Sequence, residues 1–574
     1  MGSYQLKETK TGKHTLVFSD EREIRLHSAF DPLTEAEREA SAFEKGRASH
    51  ILISGLGLGY HAGAIKEKYP EANLVILECS RDVIELAGKY YPENIKNAVI
   101  INSKSNLITF FEEFDINAFK GIAYYIHRPS HRINPSFYDE LTETVKEQIS
   151  SRISDLLTRF EFEERWVANI FSNIHHIASA LPVEKLFGRF SGYPGIIVSA
   201  GPSLRKNIGH LEKLKEKALI VCVDTAYKVC LKNGIIPHIV MTLDAQKHSV
   251  KHFLGAKADA LLLADMVSCP AILRSYTGAK ALSVTAKYFT DSNGRTIKEA
   301  TPIIDWLESR TKPIGDIQSG GSVATSAFDF LLNAGCRPII LIGQDLAYSG
   351  REIHSAGTHH NDDWLPACNR LKNLDTINQL VIRKRSVNSV EAYGGNGSVI
   401  TDFVLDLYRG WFQDSAQRVP FETINATEGG ARIKNTVEKK LSLLADEIPV
   451  RAKAPAETLS EILKNYKAVS CTNLANELQK ALDSLNELKT AALKIENENS
   501  FMTKFEELAA KNNIRSLVEP FLRKTLFFID RQNLDAEKTA SMLSKEISSA
   551  VKKLIPMTTK AKDKLLSLEQ KPRL

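Results

Sequence analysis

Gly195-Ile-Ile-Val-Ser-Ala-Gly-Pro-Ser-Leu204 runs through a polar segment into Ala218-Leu-Ile-Val-Cys-Val-Asp224, and this stretch decides the fold. An apolar β-branched run, a Gly-Pro-Ser turn, an amphipathic segment with Leu211 and Leu214 one turn apart, and a second apolar run predict a β-turn-α-β unit. Such a unit calls for a parallel sheet. Open parallel sheets bind ligands at the carboxyl ends of their strands, so Gly201, Pro202 and Ser203 are expected to border one crevice with Asp224 and Thr225. The turn leads into a helix N-terminus at Leu204, where unpaired N–H groups and the macrodipole suit a phosphate. The plain alternative is a helix start with Pro202 in the first turn and Ser203 as its cap.

Working outward, Pro237-His-Ile-Val-Met-Thr-Leu-Asp244-Ala-Gln246 is a third strand ending in an acid, and residues 260–265 and 281–284 are further short apolar runs. Gln318-Ser319-Gly320-Gly321-Ser322 is a second glycine turn, feeding a helix that stops at Gly335. It runs into Pro338-Ile-Ile-Leu-Ile-Gly343-Gln-Asp345-Leu-Ala-Tyr348, so polar residues stand at another strand's carboxyl end. Two phosphate-compatible turns on one sheet favour a nucleotide ligand. Residues 349–400 then lose periodicity and carry His354, His359-His360-Asn-Asp-Asp363 and Glu391, the pattern of a functional insertion. No H-E-x-x-H, C-x-x-C or D-x-D spacing occurs, so no metal site is expected and the histidines other than His354 read as a solvated loop.

Nearer the N-terminus, residues 14–18 and 23–26 suggest a short hairpin, and Asp31-Pro32 with Glu35 a helix start. His50-Ile-Leu-Ile-Ser-Gly55-Leu-Gly57-Leu-Gly59 is a strand entering a glycine turn, with Glu78 closing the next strand about 20 residues on, the spacing of a Rossmann nucleotide site. The unit looks like that of a methyltransferase, and S-adenosylmethionine is its sharp hypothesis. Ser54 stands where those enzymes carry an acid, and residues 123–130 lack their Asn/Asp-Pro-Pro-Tyr signature, so a structural or docking domain is the favoured reading. Residues 137–187 show an almost wholly helical pattern, and adjacent His175-His176, about 100° apart on a helix, cannot chelate together. Beyond Asp446, Leu474, Leu478, Leu482, Leu485 and Leu488 form a stripe that Leu493 continues, followed by helical segments at 501–511, 514–528 and 536–555, the last expected to end at Pro556.

The expected class is α/β: a Rossmann-like N-terminal domain (1–136), a helical linker (137–190), a central doubly wound domain (191–445) and a C-terminal helical bundle (446–574). The 574 residues exceed one core at roughly 150 residues per domain. A net charge of +6, with Lys and Arg interleaved among acids, argues against nucleic acid as main partner. Cysteines 79, 222, 230, 269, 336, 368 and 471 form no C-x-x-C pair and read as small buried hydrophobes in a reducing, cytoplasmic setting. No apolar run suggests a membrane span. An oligomer of this chain is left open.

Ser199-Ala-Gly-Pro-Ser-Leu204, Val223-Asp-Thr-Ala226, Leu243-Asp-Ala-Gln246, Ser319-Gly-Gly-Ser-Val-Ala-Thr325 and Gly343-Gln-Asp-Leu-Ala-Tyr348, in this order, resemble the motility-associated factor (Maf) flagellin glycosyltransferases. The central domain also resembles bacterial sialyltransferases that use CMP-sialic acid. Their strand end carries Gly-x-Asp-Phe-Tyr, whereas the aromatic here stands one residue later, at Tyr348. The resemblance implies transfer of a nonulosonic acid, legionaminic or pseudaminic, from its CMP donor to Ser or Thr of flagellin in the cytoplasm, with no cofactor required. It implies donor binding by Gly201–Leu204, Ser319–Ser322 and Gly343, with Asp224, Thr225, Asp244 and Gln246 holding ribose or cytosine. The Tyr348 hydroxyl would stabilise the departing phosphate, Asp345 at the strand end would be a further catalytic residue, and His354, with Glu391 second, would be the general base. The bundle, by this reading, could receive an amphipathic flagellin helix. Two alternatives stay open: a pterin diphosphokinase-like enzyme sharing the Gly-Pro-Ser core, which would need ATP and Mg²⁺, and a non-catalytic flagellin-binding scaffold.

Overall fold

The apolar runs become strands, and their parallel pairing follows from the helical segments between them. The computed structural model describes residues 3–569, apart from 21–22, 113, 117, 257–258, 291–295, 300, 468–469, 471, 495–497, 513 and 533. The chain divides into two compact units, one of residues 1–161, 289–297 and 526–534, the other of residues 162–288, 298–525 and 535–574.

The second unit is built on a ten-stranded sheet. Its strands in chain order are β1 (Leu181–Pro182), β2 (Gly195–Val198), β3 (Leu219–Val223), β4 (Ile239–Thr242), β5 (Leu261–Asp265) and β6 (Lys280–Ala286). They continue with β7 (Asp316–Gln318), β8 (Ile339–Ile342), β9 (Thr423–Asn425) and β10 (Val437–Glu438). Across the sheet the order is β7-β6-β5-β4-β3-β2-β8-β9-β10, every pair parallel, with β1 beside the start of β6. β2 through β5 and β8 are buried on both faces, which is why they read as unbroken apolar runs rather than as alternation. The order reverses between β2 and β8. That switch point is where a doubly wound sheet opens its crevice.

Four helices matter for the site: α1 (Asp224–Lys232), α2 (Val323–Ala334), α3 (His359–Trp364) and α4 (Phe403–Arg418). α2 starts with a full capping box, Ser322 and Thr325 exchanging side-chain and backbone bonds, and stops at Gly335 with φ of 89°. Residues 349–400 are not a bare loop. They hold α3, the helix Leu374–Ile382 and an antiparallel hairpin of Val387–Glu391 with Ser398–Asp402.

Apart from residues 526–534, the C-terminal helices belong to the second unit and share its core. Leu474, Leu478, Leu482, Leu485 and Leu488 are all buried, so these leucines of the stripe pack within the chain's own core. Pro556 does not end its helix, which runs through Ala536–Glu569. Val551, Leu554, Thr558, Ala561 and Leu565 are buried on both sides of it, and that packing outweighs a proline's cost of about 3 kcal/mol. The long helix of the linker is Pro135–Asn173 and stops well before residue 187. Asn169 donates to Ala245 O and Val267 O, and Asn173 to Met266 O and Ser268 O, which fastens this end to the loops after β4 and β5. His175 and His176 follow in a 3₁₀ turn.

The first unit has a three-stranded antiparallel sheet, Ser3–Glu8, His14–Ser19 and Glu23–Arg25, one strand more than the hairpin expected. Its four-stranded parallel sheet runs Val99–Ile101, Asn73–Leu77, His50–Ser54, Ile122–Ile126, a Rossmann-like order. Ile51 and Ile53 enter one core and Leu52 the other, so both faces are covered. Asp31 caps the helix Pro32–Ala42 as its sequence predicts. The six described cysteines are free, four of them buried; Cys471 and the side chain of Leu493 lie outside the described residues. Among the described residues no helix is long and apolar enough to cross a membrane.

Candidate functional site

The switch point between β2 and β8 is tied together by one carboxylate. Asp345 Oδ1 accepts from Ser203 N at 2.8 Å, and its Oδ2 accepts from the Ser203 hydroxyl. Its carbonyl accepts from Ala431 N at 2.7 Å. Gly343 turns with φ of 62°, and a Cβ there would stand 2.2 Å from Ser199 O; a Cβ on Gly201 would meet Gly343 O at 2.5 Å. The two glycines are therefore needed for β2 and β8 to approach this closely. Leu204 is buried beneath them, and the helix it begins is only Leu204–Asn207. The anion that Ser203 N–H receives in this structure is the chain's own Asp345, and Ser203 forms no side-chain cap. Burial raises the Asp345 pKa, and the Ser203 bonds oppose that.

Along the neighbouring strand ends stands a row of acids. Asp224, after β3, accepts from Thr225 N at 2.7 Å and from Thr242 Oγ1 at 2.7 Å. Asp244 accepts from Gln246 N at 2.8 Å and lies 3.4 Å from His248 Nε2. Asp265, closing β5, accepts from Val267 N and Thr285 Oγ1 and is pushed up to about 6 by burial. Burial also raises Asp224 and Asp244. Sequence reading placed Asp224, Thr225, Asp244 and Gln246 on the crevice and missed Thr242 and Asp265.

The second glycine turn follows β7 at the sheet's edge, and its helix α2 packs on β2, β3, β4 and β8. Gly320 N and Ser322 N donate to Thr325 Oγ1, and Gly321 N to Ser319 Oγ, so three of the turn's N–H groups close on its own hydroxyls. Gly320 lies under Trp411 and Gly321 under Tyr408, both from α4.

The insertion reaches the crevice where Ser355 N donates to Ala200 O at 2.8 Å, which seats His354 at the end of β2. His354 stacks on His360 at 4.7 Å. Burial first, then His360, His252, His359 and Arg385, pushes its pKa down to about 3, so it is a neutral imidazole at neutral pH. Tyr348 donates its hydroxyl proton to Asp402 and accepts from Arg385 Nη1 at 2.8 Å, and Arg385 pairs with Asp402 at 2.6 Å. Burial works to raise Asp402, yet the Tyr348 hydroxyl, Leu405 N–H and Arg385 together hold it below the ordinary range. Glu391 belongs to the hairpin and pairs with Arg432 at 2.8 Å. His354, Tyr348 and Asp345 are thus gathered at the switch point, Glu391 is engaged by a cation, and Arg385, Asp402, His252 and His360 were not singled out by sequence. A cavity of about 810 Å³ lies elsewhere, between Ile177–Arg189, Arg310–Ile314 and Ile462–Leu474. It holds none of these groups.

Fold and site together define a doubly wound α/β protein with a polar crevice at the switch point. A family model described as 6-hydroxymethylpterin diphosphokinase MptE-like matches residues 168–351. An uncharacterized protein of Treponema pallidum is 25% identical over 125 residues, 21% of this chain and 59% of that one. The 6-hydroxymethyl-7,8-dihydropterin pyrophosphokinase of Methanocaldococcus jannaschii is 38% identical over 78 residues, 13% of this chain and 32% of that one. The chain thus spans about six-tenths and one-third of the curated relatives it matches. Among solved structures, the Maf glycosyltransferase from Magnetospirillum magneticum AMB-1 superposes on 99% of this chain and 93% of its own, with a TM-score of 0.54 and 14% identity. The full architecture, beyond the central sheet, is that fold.

Proposed function

We propose that this chain is a glycosyltransferase that moves a nonulosonic acid of the legionaminic or pseudaminic type from its CMP donor to Ser or Thr of flagellin. The observation that carries the reading is the extent of the structural likeness, which takes in both units and the C-terminal helices, whereas the pterin pyrophosphokinase match is confined to 78 residues. In the reaction the acceptor oxygen bonds the anomeric carbon, the bond from that carbon to the phosphate oxygen breaks, and CMP leaves as a monoester. The acceptor proton goes to a base. His354 is the candidate: neutral and beside Arg385, it gains proton affinity when a donor bearing phosphate and carboxylate charge enters the crevice. Arg385 supplies positive charge for the departing phosphate, because the N–H of Ser203 is already held by Asp345. Flagellin is made in the cytoplasm, where CMP donors are also found, and the reading places the enzyme there.

A second reading, pterin diphosphokinase-like transfer from ATP, is favoured by the family match over residues 168–351. One paired assay separates them: the protein is incubated with flagellin and a panel of CMP-nonulosonic acids, and separately with ATP, Mg²⁺ and 6-hydroxymethyl-7,8-dihydropterin, and the products are weighed. Added nonulosonate mass on flagellin is the expected result. A diphosphorylated pterin with unmodified flagellin would overturn it.

A further inference from the structure

We propose that His252, His359 and His360 hold a divalent first-row transition-metal ion. His252 ends the 3₁₀ turn Lys247–His252 that follows β4, and His359 and His360 are the first residues of α3. One ring nitrogen from each lies within 4.8 Å of those of the other two. His252 meets both partners edge-on, His359 at 4.1 Å and 89° and His360 at 5.7 Å and 67°, while His359 and His360 are tilted at 42° and 3.9 Å. Lone pairs lie in the ring plane, so crossed rings can aim them at a common point. Nδ1 of His252 and Nδ1 of His359 are buried with no hydrogen-bond partner, and the two residues are only 5% and 4% exposed. Unpartnered buried ring nitrogens are costly, and a ligand on them removes the cost. His360 is half-buried and leaves a path for an ion.

The charges around the three rings are mixed. Lys228 and Lys251 face the cluster, as does His248, while Asp224 and Asp363 stand within electrostatic reach, Asp363 paired with Lys251 at 2.6 Å. Burial, helped by neighbouring histidines and lysines, lowers the proton affinity of all three imidazoles, and the neutral ring is the form that binds a metal. Three imidazoles select zinc, iron, cobalt or nickel over Mg²⁺ or Ca²⁺, which take oxygen ligands. Three protein ligands also leave at least one position for water or a substrate oxygen, as in catalytic rather than closed structural sites.

The other histidine triad, His27, His61 and His127, fails the same tests. Its rings stack, His61 on His127 at 4.3 Å and 11°, so their lone pairs run side by side. His27 Nε2 accepts from Leu58 N, His61 Nε2 bonds Gly55 O, and His127 Nδ1 bonds Ser130 Oγ, leaving His61 Nδ1 as the one unpartnered nitrogen.

The site goes beyond the transfer reading and does not depend on it, since its test needs no activity. Full-length protein expressed with Zn²⁺, Fe²⁺, Co²⁺ or Ni²⁺ supplied in turn is weighed for bound metal by plasma mass spectrometry. About one ion per chain is expected in the wild type, falling at least about tenfold in His252→Ala and in His359→Gln, and kept in His210→Ala and His61→Asn. X-ray absorption of the wild-type ion should count three imidazole neighbours, a reading that needs no variant to fold. The proposal is overturned if no metal is retained and Co²⁺ added to the wild type gives no visible d–d band. It is equally overturned if the ion has fewer than two imidazole neighbours, or leaves in His61→Asn and stays in His252→Ala.

Discussion

Two Rossmann-type turns, each with a cluster of histidines beside it, are both filled by the chain's own atoms yet differ in the space around them. In the first unit Gly55, Gly57 and Gly59 all have positive φ, as a nucleotide turn needs, yet the space a ligand would use holds the chain's own atoms. A Cβ on Gly55 would stand 2.3 Å from Ser130 Cβ, and one on Gly57 would stand 2.4 Å from His27 Nε2. Glu78, the acid expected to hold a ribose, is buried and accepts from Leu56 N at 2.9 Å and Ser80 N at 3.0 Å. The histidines there stack, and each has a ring nitrogen in a hydrogen bond. In the second unit Asp345 likewise fills the Ser203 turn, but His354, His360, His359 and His252 line the remaining space with two nitrogens unpartnered. A glycine turn thus fixes only where a backbone can come close. Whether a ligand or a side chain occupies the place is decided by residues far away in sequence.

The largest expected effect tests whether chemistry is confined to the second turn. His354→Ala should lower transfer to flagellin by about 10²–10³-fold, the loss typical of a general base, while His127→Asn leaves turnover per folded molecule within about twofold. Equal losses in the two variants would end the distinction. The next effect concerns acid. Burial holds His61 down to about 4 and His27 and His127 well below their ordinary value. Unfolded histidines take up protons near pH 6.5 and these folded ones do not, so their stabilisation is complete above pH 6.5 and is lost as pH falls towards 4. For His61 alone the full swing is about 3 kcal/mol at 1.36 kcal/mol per pKa unit. Urea unfolding from pH 7 to 4.5 measures it, with His61→Asn expected to flatten the curve. A flat wild-type curve would contradict the neutral stack.

Much of this was legible in sequence, and the omissions share a cause. The strands, their parallel pairing, the helix that follows the second glycine turn and stops at Gly335, and the acids at strand ends follow from local composition and periodicity. The bond from Asp345 to Ser203 spans 142 positions, and nothing near either residue announces it. His359 and His360 are adjacent and read as a solvated loop, because their third member, His252, comes from a different crossover. Arg385 and Asp402 lie in the insertion, where period gives no guidance, and only the fold brings them to Tyr348. Pro556 was misread because propensity is local and the buried face that overrides it is tertiary.

A smaller effect sharpens the claim that the first turn is filled. Gly57→Ala would set a methyl 2.4 Å from His27 Nε2 at φ of 52°, whereas Gly350→Ala, at φ of 62°, meets nothing within 4 Å. Both variants carry the left-handed penalty, so their difference isolates the clash. Gly57→Ala should be less stable than Gly350→Ala by about 1–3 kcal/mol in chemical denaturation. Equal stabilities would mean that His27 moves aside freely and that the turn is open to a ligand after all.

The smallest effect compares the tyrosine-carboxylate pair that stands at each turn. Tyr138 donates to Glu78 at 3.4 Å in the first unit, and Tyr348 donates to Asp402 in the second, where Arg385 joins the pair. Removing either hydroxyl costs about 1 kcal/mol of stability, the net worth of one hydrogen bond. Only Tyr348 is linked to the proposed base, through Arg385, which bonds its hydroxyl and acts electrostatically on His354. Its proton is held by Asp402, and Tyr348→Phe leaves the Arg385–Asp402 ion pair and the Asp402 bond to Leu405 N in place. The variant therefore loses one donor but keeps the cation, and turnover should fall only about tenfold, less than for a lost base. Tyr138→Phe should leave turnover unchanged. If Tyr348→Phe also turns over at the full rate, the hydroxyl merely positions Arg385, and the departing phosphate is served by the guanidinium alone.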